Sequence, residues 1–325
     1  MPKAIRIHQY GGPEVLRWEA VEVGEPGPGQ LRIRHGAVGL NYIDVYHRTG
    51  LYPLPSLPWT LGMEGAGRIE AIGEGVTAFK VGDRVAYASP PVGAYAEARL
   101  IAADRVVALP DAIDDRTAAA MMLQGMTAQY LLRRTYRVQP GDAILFHAAA
   151  GGVGLIAGQW ARQLGATVIG TVGSDEKAEL ARAHGYHQVI VYNRENFTER
   201  VREITNGQGV AVVYDSVGKD TFMGSLDCLR PMGMMVSFGN ASGPVPPFEA
   251  GILAAKGSLF LTRPTLMTYT AQRADLVASA AELFAVVAKG VVKIEVRQTY
   301  PLAETAQAHR DLEARQTTGS TVLLP

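Results

Sequence analysis

The ten residues His147-Ala-Ala-Ala-Gly-Gly-Val-Gly-Leu-Ile156 put bare backbone where an apolar run turns into a helix-like pattern. Gly151, Gly152 and Gly154 remove side chains from the points where a pyrophosphate would approach, and the N–H of Val153 is placed to face it. Free amides and the positive end of a helix dipole bind anionic oxygens in this way. The dinucleotide pattern G-x-G-x-x-G would place its first glycine at Ala149, a residue small enough to serve there. The bland alternative is a tight strand-to-helix turn with no ligand.

About 20 residues further on, an NAD site carries an acid that accepts from the adenosine ribose and repels a 2′-phosphate. Here the chain reads Thr171-Val-Gly-Ser-Asp-Glu-Lys177. Gly173 stands where the acid is expected, followed by the Ser174 hydroxyl and the Lys177 cation, which suits a 2′-phosphate and therefore NADPH. A charge-assisted hydrogen bond contributes about 1.5–3 kcal/mol, roughly tenfold to over a hundredfold in preference. Asp175 and Glu176 come one or two residues late; if either took the acid's role, NADH would be preferred.

Such a loop needs a strand before it and an amphipathic helix after it, and the sequence supplies both. "AILFHAA" (143–149) reads as a buried strand. In "GVGLIAGQWARQLG" (152–165), Val153, Ile156, Ala157, Trp160, Ala161 and Leu164 follow helical spacing. "ATVIGTVG", "QVIVY", "AVVYDSVG", "GMMVSFGN" and "GSLFLTRP" continue the alternation to six strands. That argues for a doubly wound parallel sheet, an α/β Rossmann domain over residues 126–264. Before it, short β-like runs are broken by turns about every 10 residues, as in an antiparallel barrel or sandwich. Residues 114–136 read as helix, Ala271–Ala288 as another, and "IEVRQTYPL" and "STVLLP" as strands returning to the first domain. That domain therefore comprises residues 1–125 and 265–325.

Lys plus Arg equals Asp plus Glu at 31 each among 325 residues, so no global charge favours nucleic acid or an anionic membrane. Cys228 is the single cysteine, and no apolar run is long enough for a membrane span, so a cytoplasmic protein is expected. "RRTYR" and "REITNGQGV" are basic only locally and read as solvated faces. His184 and His187, the one tight histidine pair, read as surface residues after a helix, and His147 as a core histidine.

Along its whole length the chain resembles the medium-chain dehydrogenase/reductase superfamily, most closely its zinc-free quinone oxidoreductase branch, which includes zeta-crystallin. The resemblance rests on "GGPEVL" (11–16), "GLNYIDVYHRTGLYP" (39–53), "GMEGAGRIEAIGEGV" (62–76), "GDRVAY", "GAYAE", "HAAAGGVG", "YDSVG" and "GSTVLLP". It implies a GroES-like antiparallel β-barrel for the first domain. Zinc-dependent relatives carry Gly-His-Glu at Gly62-Met63-Glu64 and a cysteine at Asn41, together with a four-cysteine lobe. With Met63, Asn41 and one cysteine, no zinc site of the usual kind is expected. Quinones accept a hydride readily, so aligning the cofactor is enough chemistry, and the resemblance implies NADPH-dependent quinone reduction without metal or flavin.

The resemblance also implies a cofactor cleft between the domains. Asn41 and Asp44 would face the nicotinamide ribose, and Thr127 and Tyr130 the phosphates or nicotinamide. Gly151, Gly152, Val153 and Gly154 would hold pyrophosphate; Gly173, Ser174, Lys177 and Tyr192 would surround the 2′-phosphate. Ser216, Phe238, Gly239 and Asn240 would line the nicotinamide side, with Arg263 and Arg315 as further contacts. Tyr46 and Tyr52 are substrate-side candidates, either as hydrogen-bond donors to a quinone oxygen or as packing, and Asn41 joins them as a catalytic candidate. Glu64 is expected to hydrogen-bond structurally. The competing readings are an NADPH-dependent enone or enal reductase and a nucleotide-binding protein with an RNA-binding role. The resemblance further suggests a homodimer, with "GSLFLTRP" pairing edge to edge.

Overall fold

The computed structural model describes residues 1–325. The chain forms two compact units, Met1–Met126 with Thr270–Phe284 and Ile294–Pro325, and Thr127–Tyr269 with Ala285–Lys293. Lys293 stays with the second unit through the Gln159 side chain, which accepts from its N–H (2.9 Å) and donates to its carbonyl (3.0 Å).

The second unit is built on six parallel strands: β1 (Ala143–Phe146), β2 (Thr167–Val172), β3 (Gln188–Val191), β4 (Val210–Asp215), β5 (Leu229–Ser237) and β6 (Phe260–Thr262). Their order is β3-β2-β1-β4-β5-β6, so the order reverses between β1 and β4. Such a sheet is covered on both faces, which is why its strands read as unbroken apolar runs; all six residues of β4 are buried. Leu145, Ile169, Ile190, Val213 and Met235 form the core with Phe222 and Leu226. Helix α1 (Gly152–Gln163) follows β1 and helix α2 (Asp175–Ala183) follows β2. His184, expected at the surface, is buried; it ends α2, and its Nδ1 lies 2.7 Å from the Leu180 carbonyl.

The first unit contains a seven-stranded sheet organised on the long strand Gln30–Leu40, which pairs antiparallel with Glu64–Ile72, Ala98–Ala102 and Ser320–Leu324. Lys3–Ile7 joins Arg17–Ala20 and Trp59–Thr60 in a smaller antiparallel sheet. One pair departs from the antiparallel pattern: Val296–Pro301 runs parallel to Ser320–Leu324.

The expected continuous helix over 114–136 is broken. It splits into Asp115–Ala119 and Met122–Tyr130, and ends in a wider π turn over Leu131–Thr135. The break has a cause distant in sequence. The Glu64 carboxylate accepts from the Leu123 N–H at 2.9 Å and so caps the second helix.

Candidate functional site

In the second unit the chain leaves each parallel strand at the same edge, and the sequence-predicted residues follow those exits. Residues 151–154 follow β1, 173–177 follow β2, Tyr192 follows β3, Ser216 follows β4, residues 238–240 follow β5 and Arg263 follows β6. In an open α/β sheet this edge, near the order reversal, is where ligands bind.

The glycine loop is fixed by backbone sterics. Gly154 packs α1 onto β1 so tightly that a Cβ there would meet the Ala148 and Ala149 carbonyl oxygens at 2.5 and 2.6 Å. The first helical hydrogen bond is Leu155 N–H to Gly151 O at 2.9 Å, so the N–H groups of Gly152, Val153 and Gly154 precede the first helical donor and have no helical acceptor. Gly151, Gly152 and Val153 are half-buried and accessible. Bare backbone plus free amides fits a pyrophosphate. The strained residue in this loop is Ala148, at φ 55°, whereas Ala149 is held by its N–H to the Thr171 carbonyl.

After β2 the Ser174 hydroxyl caps α2, accepting from the Lys177 N–H at 3.3 Å. A Cβ on Gly173 would meet the Tyr192 hydroxyl at 2.8 Å, so Gly173 gives this tyrosine room. Tyr192 is exposed, while Gly173, Ser174 and Lys177 are half-buried. The Lys177 cation and the Ser174 and Tyr192 hydroxyls are donors that fit a 2′-phosphate, and the missing side chain at Gly173 leaves it room. Two neighbours escaped the sequence reading: Asn193, which donates to the Gly173 carbonyl, and Arg194, which pairs with Asp175.

The loops after β4 and β5 are joined by backbone bonds, Phe238 N–H to Asp215 O (2.7 Å) and Ala241 N–H to Ser216 O (3.1 Å). Gly239 permits this approach, since a Cβ there would lie 2.4 Å from the Ser216 carbonyl oxygen. Buried Asp215 anchors the turn through the N–H groups of Val217 and Gly218 and the Thr221 hydroxyl. His147 is fully buried between Thr171 Oγ1 (2.8 Å) and Ser225 Oγ (2.9 Å); burial lowers its pKa. Arg263 donates to the Ser237 carbonyl, bracing the end of β5. Tyr130 stacks on Tyr269 with ring centres 4.5 Å apart, and burial pushes its hydroxyl well above the usual phenol range.

The first unit holds Asn41 and Asp44 in a buried polar network. Asn41 donates from Nδ2 to Glu64 (2.6 Å) and accepts at Oδ1 from Gln124 (3.1 Å), which in turn accepts from Ser320 (2.6 Å). Asp44, on helix Tyr42–Thr49, accepts from the Asn41 N–H (2.9 Å) and the Tyr95 hydroxyl (2.8 Å). Beyond Tyr95 lies His309 Nε2 (3.2 Å), and Arg48 reaches His309 Nδ1 (3.0 Å) and both oxygens of Glu313 (2.8 Å each). Arginine only donates, so His309 Nδ1 must accept and its proton sits on Nε2. Every bond from Arg48 through His309 and Tyr95 therefore points toward Asp44. Burial raises Asp44 to about 7 and Glu64 to about 8, and lowers His309 to about 3.

Tyr46 is buried and Tyr52 half-buried, with their rings edge to face at 5.1 Å. Arg315, exposed and at φ 60°, interacts electrostatically with Tyr42. Thr127 is buried on helix Met122–Tyr130.

Residues 27–111 match the family described as alcohol dehydrogenase GroES-like domain, and residues 152–284 the family described as zinc-binding dehydrogenase. The chain is 57% identical to a quinone oxidoreductase of Pseudomonas aeruginosa over the full length of both. It is 50% identical to a 2-haloacrylate reductase of a Burkholderia species, covering all of this chain and 99% of the relative. Its fold matches that of Escherichia coli quinone oxidoreductase complexed with NADPH with a TM-score of 0.98 at 50% identity, covering 99% of this chain and all of that one.

One family description names zinc, and the donors here do not fit that ion. The Asn41 amide is engaged by Glu64 and Gln124, Met63 is buried, and no group of three or more His, Cys, Asp or Glu is gathered as a metal would require. The chain belongs to the quinone oxidoreductase family of the medium-chain dehydrogenase/reductase superfamily.

Proposed function

We propose that the protein is an NADPH-dependent quinone oxidoreductase that needs neither metal nor flavin. The observation that carries this reading is the glycine loop with its free amides, followed one strand later by Gly173, Ser174 and Lys177 in place of an acid. When bound, NADPH supplies a hydride. Gly151, Gly152, Val153 and Gly154 hold its pyrophosphate, and Gly173, Ser174, Lys177 and Tyr192 its 2′-phosphate. Ser216, Phe238, Gly239 and Asn240 extend the cradle along the sheet edge, with Thr127, Tyr130, Arg263 and Arg315 as further contacts.

Asn41 and Asp44 orient the ribose of the nicotinamide half. Asn41 can do so because Glu64 and Gln124 fix its amide. Tyr46 and Tyr52 face the flat substrate ring, where a hydroxyl donates to the quinone oxygen as charge develops on it. Two copies pair through β6, the open edge of the parallel sheet, where Phe260 is 58% exposed. No helix is long and apolar enough to cross a membrane, and with a single buried cysteine, Cys228, we place the enzyme in the cytoplasm.

The test is steady-state oxidation of NADPH and NADH with a 1,4-benzoquinone, a 1,2-quinone and an enone, with and without chelator. Quinone turnover at least about tenfold better with NADPH, and unchanged by chelator, is expected. Turnover confined to the enone, as the 2-haloacrylate reductase relative suggests as the competitor, would replace the reaction and keep the cofactor.

A further inference from the structure

The loops after β2 and β3 are fastened by three consecutive side chains. The Tyr192 hydroxyl lies against Gly173, the Asn193 amide donates to the Gly173 carbonyl (2.6 Å), and Arg194 grips both carboxylate oxygens of Asp175 (2.6 Å each). The strands are in register, Val172 beside Val191, so the first residues past each strand must meet at the sheet edge. Asp175 follows Ser174 directly and is the acid nearest the position from which an NAD-type site repels a 2′-phosphate.

We propose that Arg194 is a specificity-determining residue that cancels the charge of Asp175 and so allows a 2′-phosphate to settle among Gly173, Ser174, Lys177 and Tyr192. This rests on the NADPH reading above. The bidentate pairing suits the role, because a guanidinium fork engages both oxygens that would otherwise accept from ribose hydroxyls. The pairing with Arg194 also holds Asp175 below the usual carboxylate range, so the acid stays charged and matched. Other charges reach the pair only at longer range: Glu195, which accepts from the Val191 N–H and pairs with Arg200, also acts on Arg194, and Arg182, which pairs with Glu179, also acts on Asp175 without bonding it. Arg194 is thus the compensating cation bonded to Asp175, and its removal releases one negative charge beside the phosphate. Both side chains are more than half exposed, so the effect is electrostatic and fades in high salt.

The experiment is calorimetric binding of adenosine 2′,5′-bisphosphate and of adenosine 5′-monophosphate to the full chain, alongside the NADPH-to-NADH ratio of kcat/KM. Arg194→Ala should weaken the bisphosphate by roughly five- to tenfold at low salt and leave the monophosphate unchanged. Adding Asp175→Ala should recover most of that loss, while Arg182→Ala, which removes a cation that reaches Asp175 without bonding it, should cost clearly less than Arg194→Ala. A wild-type protein that prefers the bisphosphate, together with an unaffected Arg194→Ala variant, would overturn the role of Arg194. A loss that persists undiminished in the double variant would overturn it as well. A wild-type protein that does not prefer the bisphosphate would overturn the NADPH reading and this proposal together.

Discussion

Two polar clusters in this molecule use the same chemical groups in opposite ways. In the first unit, Glu64, Asn41, Asp44, Tyr95, His309 and Arg48 are buried, and each is oriented by directed hydrogen bonds. At the edge of the parallel sheet, Asp175, Tyr192, Asn193 and Arg194 are exposed, and Asp175 and Arg194 are matched by charge. Burial turns ionisable groups into fixed geometry, because an unmatched partner there has no water to fall back on. Exposure leaves charge as an adjustable quantity, and water and salt keep each change small.

The sharpest way to break this contrast is Arg48→Ala. Arg48 is 1% exposed and serves both His309 and Glu313. Its loss should cost about 3–5 kcal/mol in urea unfolding, and a cost below about 1 kcal/mol would put the buried network on the footing of a surface pair.

Next in size is the pH dependence of stability. Glu64 at about 8 and Asp44 at about 7 lie above their unfolded values, so the folded protein keeps protons that the unfolded chain has released. Their contribution is complete at acid pH and disappears as pH rises through 7 and 8. His35 and His47 at about 4 and His309 at about 3 act with the opposite sign: their contribution holds above 6.5 and is lost as pH falls toward those values. The two sets oppose each other near pH 5 to 6, and above about 6.5 only the carboxyls act. Stability should therefore decline on the order of a few kcal/mol between about pH 6.5 and 8. Glu64→Gln should flatten that limb, and chemical unfolding at stepped pH reads both.

The exposed cluster should respond more gently. Lys177→Ala is expected to raise KM for NADPH by about tenfold and to leave KM for NADH within about twofold, the smaller difference vanishing at high salt. The smallest effect belongs to Ala148→Gly. At φ 55° an alanine is strained and a glycine is not, so thermal unfolding should show a gain of about 0.5 kcal/mol with cofactor binding unchanged.

The six parallel strands and helix α1 were legible because burial on both faces writes apolar runs and a helical stripe directly into sequence. The glycine loop and the exits of the strands followed from them. What escaped was set by partners far away in the chain. The break between Ala119 and Met122 depends on Glu64, and the orientation of Asp44 depends on His309 and Glu313 from the C-terminal helix. Arg194 was missed because its meeting with Asp175 depends on strand register rather than spacing. In the glycine loop attention fell on Ala149, where a glycine is usual, while the left-handed backbone belongs to Ala148, and alanine carries no signal for it. His184 looked like a surface residue because the glycine that ends α2 does not reveal what packs over it.

The strand Ser320–Leu324 sits between Val296–Pro301 and the long strand Gln30–Leu40. Val38, Gly39 and Leu40 find their partners in residues 321–323. On the ribosome this means that nearly three hundred residues are made before the Val38–Leu40 end of the long strand can be covered on that flank, whose Gln30–Arg34 end pairs earlier with Ala98–Ala102, whereas Thr127–Tyr269, a single uninterrupted stretch, holds all six strands of its own sheet. The nascent chain thus carries a completed parallel sheet while that strand end is still open, and it is in that interval that a chaperone, or another nascent copy, has its opportunity to bind.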